Sequence, residues 1–277
     1  MGRFTEKVVF ITGSSKGIGR SLAVEMLSQG AIVVINGRNT DQLNSTAEML
    51  RQHGGEVLPV PGDVSDTTIF RSALTAIKDR FGRLDILVLN AGLSSYGAVE
   101  RTSDTSIENV MRVNTTGPYT CARDVLPMIR ESRGSIVFIS SLAGIHGIPY
   151  SSLYSMSKMS LTALAQSLRT ELTGERIHIG IIYVGFTRND PDKTAVSPDG
   201  TIKKLQDRPG WVQQSQERVA KLIARSIRRR RFRTTLSAMG KVMAFASRYF
   251  PRLFQFSMRG MLKKARELTK DPESSSG

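Results

Sequence analysis

Three side chains near the middle of this sequence have the types and spacing for acid–base chemistry at a carbonyl group. Tyr154 and Lys158 stand four residues apart at the start of a predicted helix, so their side chains share one face. A free phenol, with a pKa of about 10, is a reluctant base. A neighbouring ammonium favours the phenolate and lowers that value. A tyrosine tuned in this way gives a proton to a ketone oxygen as hydride reaches the carbon, and takes it back in the reverse direction. Ser141, with twelve residues between it and Tyr154, closes a strand-like run and offers a hydroxyl to the same oxygen as negative charge develops.

The competing residues lack that context. Ser140 faces the opposite way from Ser141 at a strand end. Tyr150 and Tyr183 have no lysine four residues on, and His53, His146 and His178 are scattered outside any metal-ligand spacing. No metal site is therefore expected. A serine hydrolase would need a G-x-S-x-G elbow, which this chain does not contain.

A second constellation suits phosphate. The β-branched run from Val8 to Ile11 leads into Thr12-Gly13-Ser14-Ser15-Lys16-Gly17-Ile18-Gly19, and an amphipathic helix is predicted from Arg20 to Gln29. Glycines let the backbone turn sharply and approach a pyrophosphate, whose charge is favoured at a helix N-terminus. The spacing is G-x-x-x-G-x-G, not the commoner G-x-G-x-x-G. The next strand ends Asn36-Gly37-Arg38, without the acid that would accept from a ribose hydroxyl. Arg38 offers a fork of donors to a phosphate and Lys16 a second cation.

These residues need a scaffold, and the pattern supplies one. Apolar strand-like runs at 8–11, 32–35, 57–60, 86–89, 136–139 and 179–182 alternate with amphipathic stretches. The pattern predicts a single doubly wound α/β domain of six parallel strands covered on both faces. Turn chemistry after Gly185 predicts a mobile flap over 186–215, and the last residues, 267–277, have a composition expected to be disordered. Cys121 is the single cysteine, which excludes an internal disulfide and a cysteine-based zinc site. No apolar run is long enough to span a membrane, and Glu6 interrupts any secretory signal.

The glycine spacing between first strand and first helix resembles the short-chain dehydrogenase/reductase family, and the likeness extends along most of the chain. Asn90-Ala91-Gly92 resembles the family's N-A-G motif. Ser141, Tyr154 and Lys158 match its catalytic serine, tyrosine and lysine, and Asn114 its fourth catalytic member. The resemblance implies that Lys158 also holds the nicotinamide ribose and that Asn114 positions a water in a proton relay. It further implies that Asp63-Val64 contacts the adenine and that Asn90 stabilises the sheet beside the cofactor. Basic residues at the positions of Lys16 and Arg38 mark the phosphorylated cofactor in this family, so NADP(H) is expected over NAD(H). The family's Pro-Gly and following threonine are replaced by Val184-Gly185 and Asn189. Gly185, Thr187 and Asn189 remain the expected contacts to the nicotinamide end. A homodimer or homotetramer is a family expectation. Within the family, the chain resembles the branch that holds hydroxysteroid dehydrogenases and 3-ketosphinganine reductases.

The formal charge of +15 is distributed unevenly: residues 1–219 carry a net +3 and residues 220–277 a net +12. Helical spacing puts Leu236, Met239, Val242, Met243, Ala246, Tyr249 and Phe250 on one face. After Pro251, Leu253, Phe254, Met258, Met261 and Leu262 repeat the pattern, with Lys241, Arg248, Arg252, Arg259 and Lys263 outside it. The expectation is a catalytic unit over 1–235 and a basic helical extension over 236–266. That extension suits an anionic membrane surface, or packs on the substrate site or another subunit. Nucleic acid is disfavoured, since no recognition motif accompanies the arginine run 228–231. The chain is thus expected to be a cytoplasmic, peripherally membrane-associated enzyme that interconverts a ketone and a secondary alcohol on an apolar, lipid- or steroid-like substrate. The alternatives are a ketoreductase for a small polar, polyketide or sugar substrate, and a non-catalytic NADP-binding scaffold at a membrane surface.

Overall fold

The computed structural model describes residues 2–205 and 213–268. The chain alternates as the apolar pattern requires: β1 (Val8–Ile11), α1 (Gly17–Ser28), β2 (Ile32–Gly37), α2 (Thr40–Gln52), β3 (Val57–Pro61), α3 (Thr67–Phe81) and β4 (Ile86–Leu89). A short β5 (Ser94–Ser95) precedes α4 (Asp104–Met111), α5 (Gly117–Ser132), β6 (Ser135–Ser141), α6 (Ser152–Glu171) and β7 (His178–Val184). Then come β8 (Thr194–Val196), β9 (Ile202–Lys204), α7 (Gln216–Arg228), β10 (Arg233–Thr235), α8 (Ala238–Tyr249) and α9 (Pro251–Leu268).

Seven parallel strands form one sheet in the order β10-β7-β6-β4-β1-β2-β3. Successive side chains on each strand go to opposite faces, which is why these runs are apolar throughout. Val9 and Ile11 pack with Leu22 and Met26 of α1, Leu43 of α2 and Ile223 of α7 on one face. Val8 and Phe10 pack with Phe70 of α3, Val125 of α5 and Leu161 of α6 on the other. The chain runs outward from β1 to β3 and returns to β4 on the other side of β1. That reversal opens a crevice at the C-terminal ends of β1 and β4, where such sheets bind ligands.

The sequence-based reading needs three corrections. The sheet has a seventh strand, β10, whose three residues are too few to show as an apolar run; it is recruited by pairing along β7. The segment 186–215 is not wholly irregular, because β8 and β9 join β5 in a second, three-stranded sheet; residues 206–212 lie outside the described part. The helix expected from Arg20 begins at Gly17, since the glycines are themselves its first turn.

The extension consists of two helices separated at Phe250, and its apolar residues are only partly covered. Leu236 is buried and Met243 packs against the core, whereas Met239, Val242, Tyr249, Phe250 and Leu253 are exposed, together with Phe245 and Phe256. An apolar stripe wide enough to wrap part of a helix looks the same in sequence whether one side or both sides are covered. The positive charge is divided as well. Arg230 donates to the carbonyls of Arg133, Gly134 and Arg176, which precede β6 and β7, so the arginine run sits at the end of the sheet opposite the crevice. No helix among the described residues is long and apolar enough to cross a membrane. The expected disordered stretch 267–277 lies outside the described residues from 269 on, as do the side chains of Met261 and Lys263.

Candidate active site

Four strand ends build the site. β1 delivers the glycine loop, β4 the Asn90–Gly92 turn, β6 Ser141, and β7 Gly185. The loop is shaped so that only glycine fits at its tightest points. Gly13 has φ +60°, and a Cβ there would fall 2.8 Å from Ala91 Cα; one on Gly19 would fall 2.5 Å from the Gly13 carbonyl oxygen. Thr12 fastens loop to turn: its Oγ1 accepts from the amides of Asn90 and Ala91, both at 3.0 Å. Asn90 Nδ2 donates to the carbonyls of Thr12 and Gly13, each at 2.9 Å, a role in holding neighbouring strands together. Asn36 likewise ties β2 to Gly13, Val60 and Gly62.

No side chain caps the start of α1, which opens with Gly17 at φ +63° after Lys16. The first amide groups of the helix therefore face the crevice with the positive end of its dipole, the arrangement an anion requires. Ile18 packs inward against the core, and Ser15 is buried beside Gly37. Lys16 and Arg38 flank residues in contact, Ser15 and Gly37, but differ in what they meet: Lys16 is ion-paired with Asp192 of the segment after β7, whereas Arg38, just after β2, is exposed and engaged by none of the described residues. Val64 is buried. Asp63 accepts from the amide and hydroxyl of Ser65 and from Arg112 at 3.1 Å. Burial works to raise its pKa, but those donors together hold it below the ordinary carboxylate value.

The other wall is formed by β6, α6 and a π-helical turn, Arg112–Thr116, between α4 and α5. Such turns widen the helix and free its local hydrogen bonds. Asn114 lies in it, fully buried. Its Oδ1 accepts from Leu93 N at 2.7 Å, and its Nδ2 donates to the Leu93 carbonyl at 2.8 Å and to Ser157 Oγ at 3.0 Å. Ser157 in turn donates to the Tyr154 carbonyl at 2.8 Å, so the turn and α6 are locked as one piece. Lys158 is buried below the ring of Tyr154, its Nζ 5.9 Å from the ring centroid, and donates to the Ile139 carbonyl at 3.2 Å. Burial, with a further contribution from Lys193, pushes the Lys158 pKa down to about 8.

Gly92 reports how close the two walls stand. A Cβ on it would lie 3.1 Å from both Asn114 Oδ1 and Lys158 Nζ. Ser141, half-buried at the end of β6, caps the turn that follows it by accepting from Ala143 N at 3.3 Å. Ser140 points away, as its place on the strand requires, and donates to the Lys158 carbonyl at 3.0 Å. On the third side, Thr187 Oγ1 donates to the Gly185 carbonyl and Asn189 is half-buried beside it.

Asn114, Tyr154 and Lys158 are thus tied together, Ser141 stands two residues beyond Ile139, whose carbonyl Lys158 meets, and the glycine loop reaches them through Ala91 and Gly92. Sequence reasoning passed over Thr12, Asn36, Ser140 and Ser157 as site-builders. Ser157 was within reach, since a hydroxyl three residues after Tyr154 lies on the same helix face; the others make contacts across the sheet that no local spacing reveals. Two of the histidines are structural. His178 is buried, hydrogen-bonds Ser135 and the Arg231 carbonyl, and has its pKa pushed down to about 4 by burial. His146 meets the ring of Phe254 of α9 edge-on at 4.7 Å.

Comparisons with known proteins follow the same lines. The chain is 31% identical over 273 residues to dehydrogenase/reductase SDR family member 7B of Xenopus tropicalis, covering 95% of this chain and 88% of that protein. It is 30% identical over 209 residues to the 3beta-hydroxysteroid dehydrogenase of Mediterraneibacter gnavus, covering 75% and 71%. The solved structure of a short-chain dehydrogenase/reductase from Burkholderia phymatum in complex with NAD superposes with a TM-score of 0.79 at 24% identity, over 91% of this chain and 96% of that one, a likeness of fold. The family model for short chain dehydrogenases matches residues 7–199. That stretch starts just before β1 and ends beyond β8, so every loop and wall residue named above falls inside it, and this chain belongs to the short-chain dehydrogenase/reductase family.

Proposed function

We propose that this protein is an NADP(H)-dependent oxidoreductase that interconverts a ketone and a secondary alcohol on an apolar substrate. The observation that carries the reading is Lys158, a buried ammonium directly beneath the ring of Tyr154. A cation held there favours the phenolate over the phenol, which makes Tyr154 the group to exchange a proton with the substrate oxygen. The nicotinamide, when bound, supplies or accepts the hydride. Ser141 donates a hydrogen bond to the substrate oxygen while charge builds on it. Asn114 Oδ1 accepts one hydrogen bond from Leu93 and has a second lone pair available, which suits it to hold a water on the Lys158 side of the relay.

The glycine loop, uncapped at α1 and too tight for any Cβ at Gly13 and Gly19, fits a pyrophosphate. Arg38 supports the phosphorylated cofactor, being an exposed guanidinium with no partner among the described residues, just after β2 where the ribose-binding acid of the other cofactor would stand. Gly185, Thr187 and Asn189 would line the nicotinamide end, and Asp63 and Val64 the adenine end. The relative named as a 3beta-hydroxysteroid dehydrogenase supports an apolar substrate. The direct test is turnover of an aromatic diketone with NADPH and with NADH, together with fluorescence titration of each cofactor. NADPH is expected to bind at least about tenfold tighter, roughly 1.4 kcal/mol, modest for a charge-assisted contact. Equal dissociation constants would overturn the cofactor assignment, and absence of turnover the enzyme.

A second reading concerns residues 236–266, which we take as an extension of the catalytic unit 1–235 that rests on anionic membrane. Exposed Met239, Val242, Phe245, Tyr249, Phe250, Leu253 and Phe256 beside Arg248, Arg252 and Arg259 support it. Flotation with anionic but not neutral liposomes, lost in a chain ending at Thr235, is the expected result; an intact protein that stays in solution with both would refute it.

A further inference from the structure

The segment that follows β7 presents two carboxylates to the glycine loop. Asp192 pairs with Lys16, the residue immediately before α1. Asp190 stands deeper: its Oδ1 accepts from Gln216 Nε2 at 3.0 Å and faces Arg20 at 3.6 Å. Its Oδ2 is buried and has no hydrogen-bond partner among the described residues, and it lies 3.6 Å from the point a Cβ on Gly17 would occupy. The same side chain is thus held by α7 through Gln216 and turned toward the open first turn of α1. Gln216 also donates to the Arg188 carbonyl, which fixes the segment in place over the loop.

Lys16 and Arg20 are therefore both engaged by acids of the same chain, while Arg38 meets no acid among the described residues. The Lys16–Asp192 pair, exposed on both sides, is worth little, roughly up to 1 kcal/mol, and is readily given up to a doubly charged phosphate. A carboxylate oxygen brought to an uncapped helix start occupies ground an anionic ligand would use, and repels that ligand at short range.

We propose that Asp190 and Asp192 compete with the phosphates of the cofactor for Arg20 and Lys16, and so set the affinity and selectivity of the site from the segment after β7. The inference rests on the NADP(H) reading above. The two acids act on different parts of the ligand. Asp192 holds Lys16, assigned to the 2′-phosphate, so it weakens NADPH alone. Asp190 stands beside Gly17, the pyrophosphate end, so it weakens both cofactors alike.

The experiment is fluorescence titration of NADPH and NADH against the full-length protein and its Asp192→Asn and Asp190→Asn variants, with melting temperatures recorded alongside. Asp192→Asn is expected to tighten NADPH about three- to fivefold and to leave NADH within twofold, the size of a surface ion pair. Asp190→Asn, which keeps an acceptor for Gln216, is expected to tighten both cofactors by a similar factor. Adding Lys16→Ala to Asp192→Asn should abolish the gain. Folded variants that bind NADPH with unchanged or weaker affinity would overturn the proposal, the latter by making the carboxylates a clamp over bound cofactor. If the wild type binds NADPH and NADH equally, the cofactor assignment fails, and the Asp190 arm still decides the competition by itself.

Discussion

The catalytic wall and the α8–α9 extension break the same rule in opposite directions. The wall buries polar groups, among them Asn114, Ser140, Ser157 and the ammonium of Lys158. The extension exposes apolar ones, including Val242, Leu253 and Phe256, each about two-thirds accessible. Buried polar groups cost free energy unless every one is partnered, and here the partners are counted: Asn114 has three hydrogen bonds, Ser157 and Ser140 are each bonded, and Lys158 has the Ile139 carbonyl. Exposed apolar groups cost nothing in the folded chain alone, but leave a surface wanting a cover. Each of these wall groups has at least one partner within the chain, whereas the outer face of the extension has no cover among the described residues. The two touch: a Cβ on Gly240 would fall 2.4 Å from the side chain of Leu142, the residue after Ser141, and Phe254 lies against His146.

The contrast can be tested by substitution. The largest effect is expected from Tyr154→Phe, which removes the transferable proton and little packing. Turnover should fall by about 10² to 10⁴, with NADPH affinity within a few-fold in titration. A variant that kept most of its rate would take the acid–base role away from this wall.

Next in size is Lys158→Met. The folded-state pKa of about 8 lies below the ordinary 10.5, so the charged form is destabilised by burial. At pH 7 the substitution should stabilise the protein against urea by up to about 3 kcal/mol while lowering turnover, by less than Tyr154→Phe does. The sign over pH follows from the same shift. Between about pH 8 and 10.5 the unfolded chain binds the proton that the folded one has released, so the contribution of Lys158 to stability rises with pH through that window. Urea midpoints of wild type and variant should converge there.

Ser140→Ala should cost about 1 kcal/mol, because it removes a buried donor from the Lys158 carbonyl. Its rate loss should be far smaller than that of Ser141→Ala, since Ser140 is buried and bonded to the Lys158 carbonyl whereas Ser141 is the proposed donor to the substrate. Comparable losses in the two variants would blur the division between them. The smallest stability effect is expected on the other side of the comparison. Changing Phe250, Leu253 and Phe256 together to serine should leave the melting midpoint within about 0.5 kcal/mol, as these side chains are exposed, yet should abolish flotation with anionic liposomes. A large loss of stability would mean the face is packed in solution, most simply against a second copy.

The wall and the loop were legible in sequence to different degrees. Ser141, Tyr154 and Lys158 could be read because they stand on one strand end and one helix face, where local periodicity fixes direction. Six of the seven strands of the main sheet could be read for the same reason: burial on both faces leaves an uninterrupted apolar run. Lys16 and Arg38 could be read as cations, but not that Lys16 is already engaged, because its partner Asp192 lies 176 residues away. β10 escaped because its residues, Arg233-Thr234-Thr235, are polar and become a strand only by pairing with the distant β7.

The sequence by itself determined the alternation of strands and helices, the glycine turn into α1 and the types of the chemical groups, since each depends on neighbours within one or two turns of chain. Tertiary structure alone decided which polar groups are satisfied in the wall, which of the two extension faces is covered, and that the carboxylates after β7 reach the glycine loop. Those outcomes depend on which surfaces meet when distant segments pack, and neither desolvation nor ion pairing has a value until that packing fixes the neighbours.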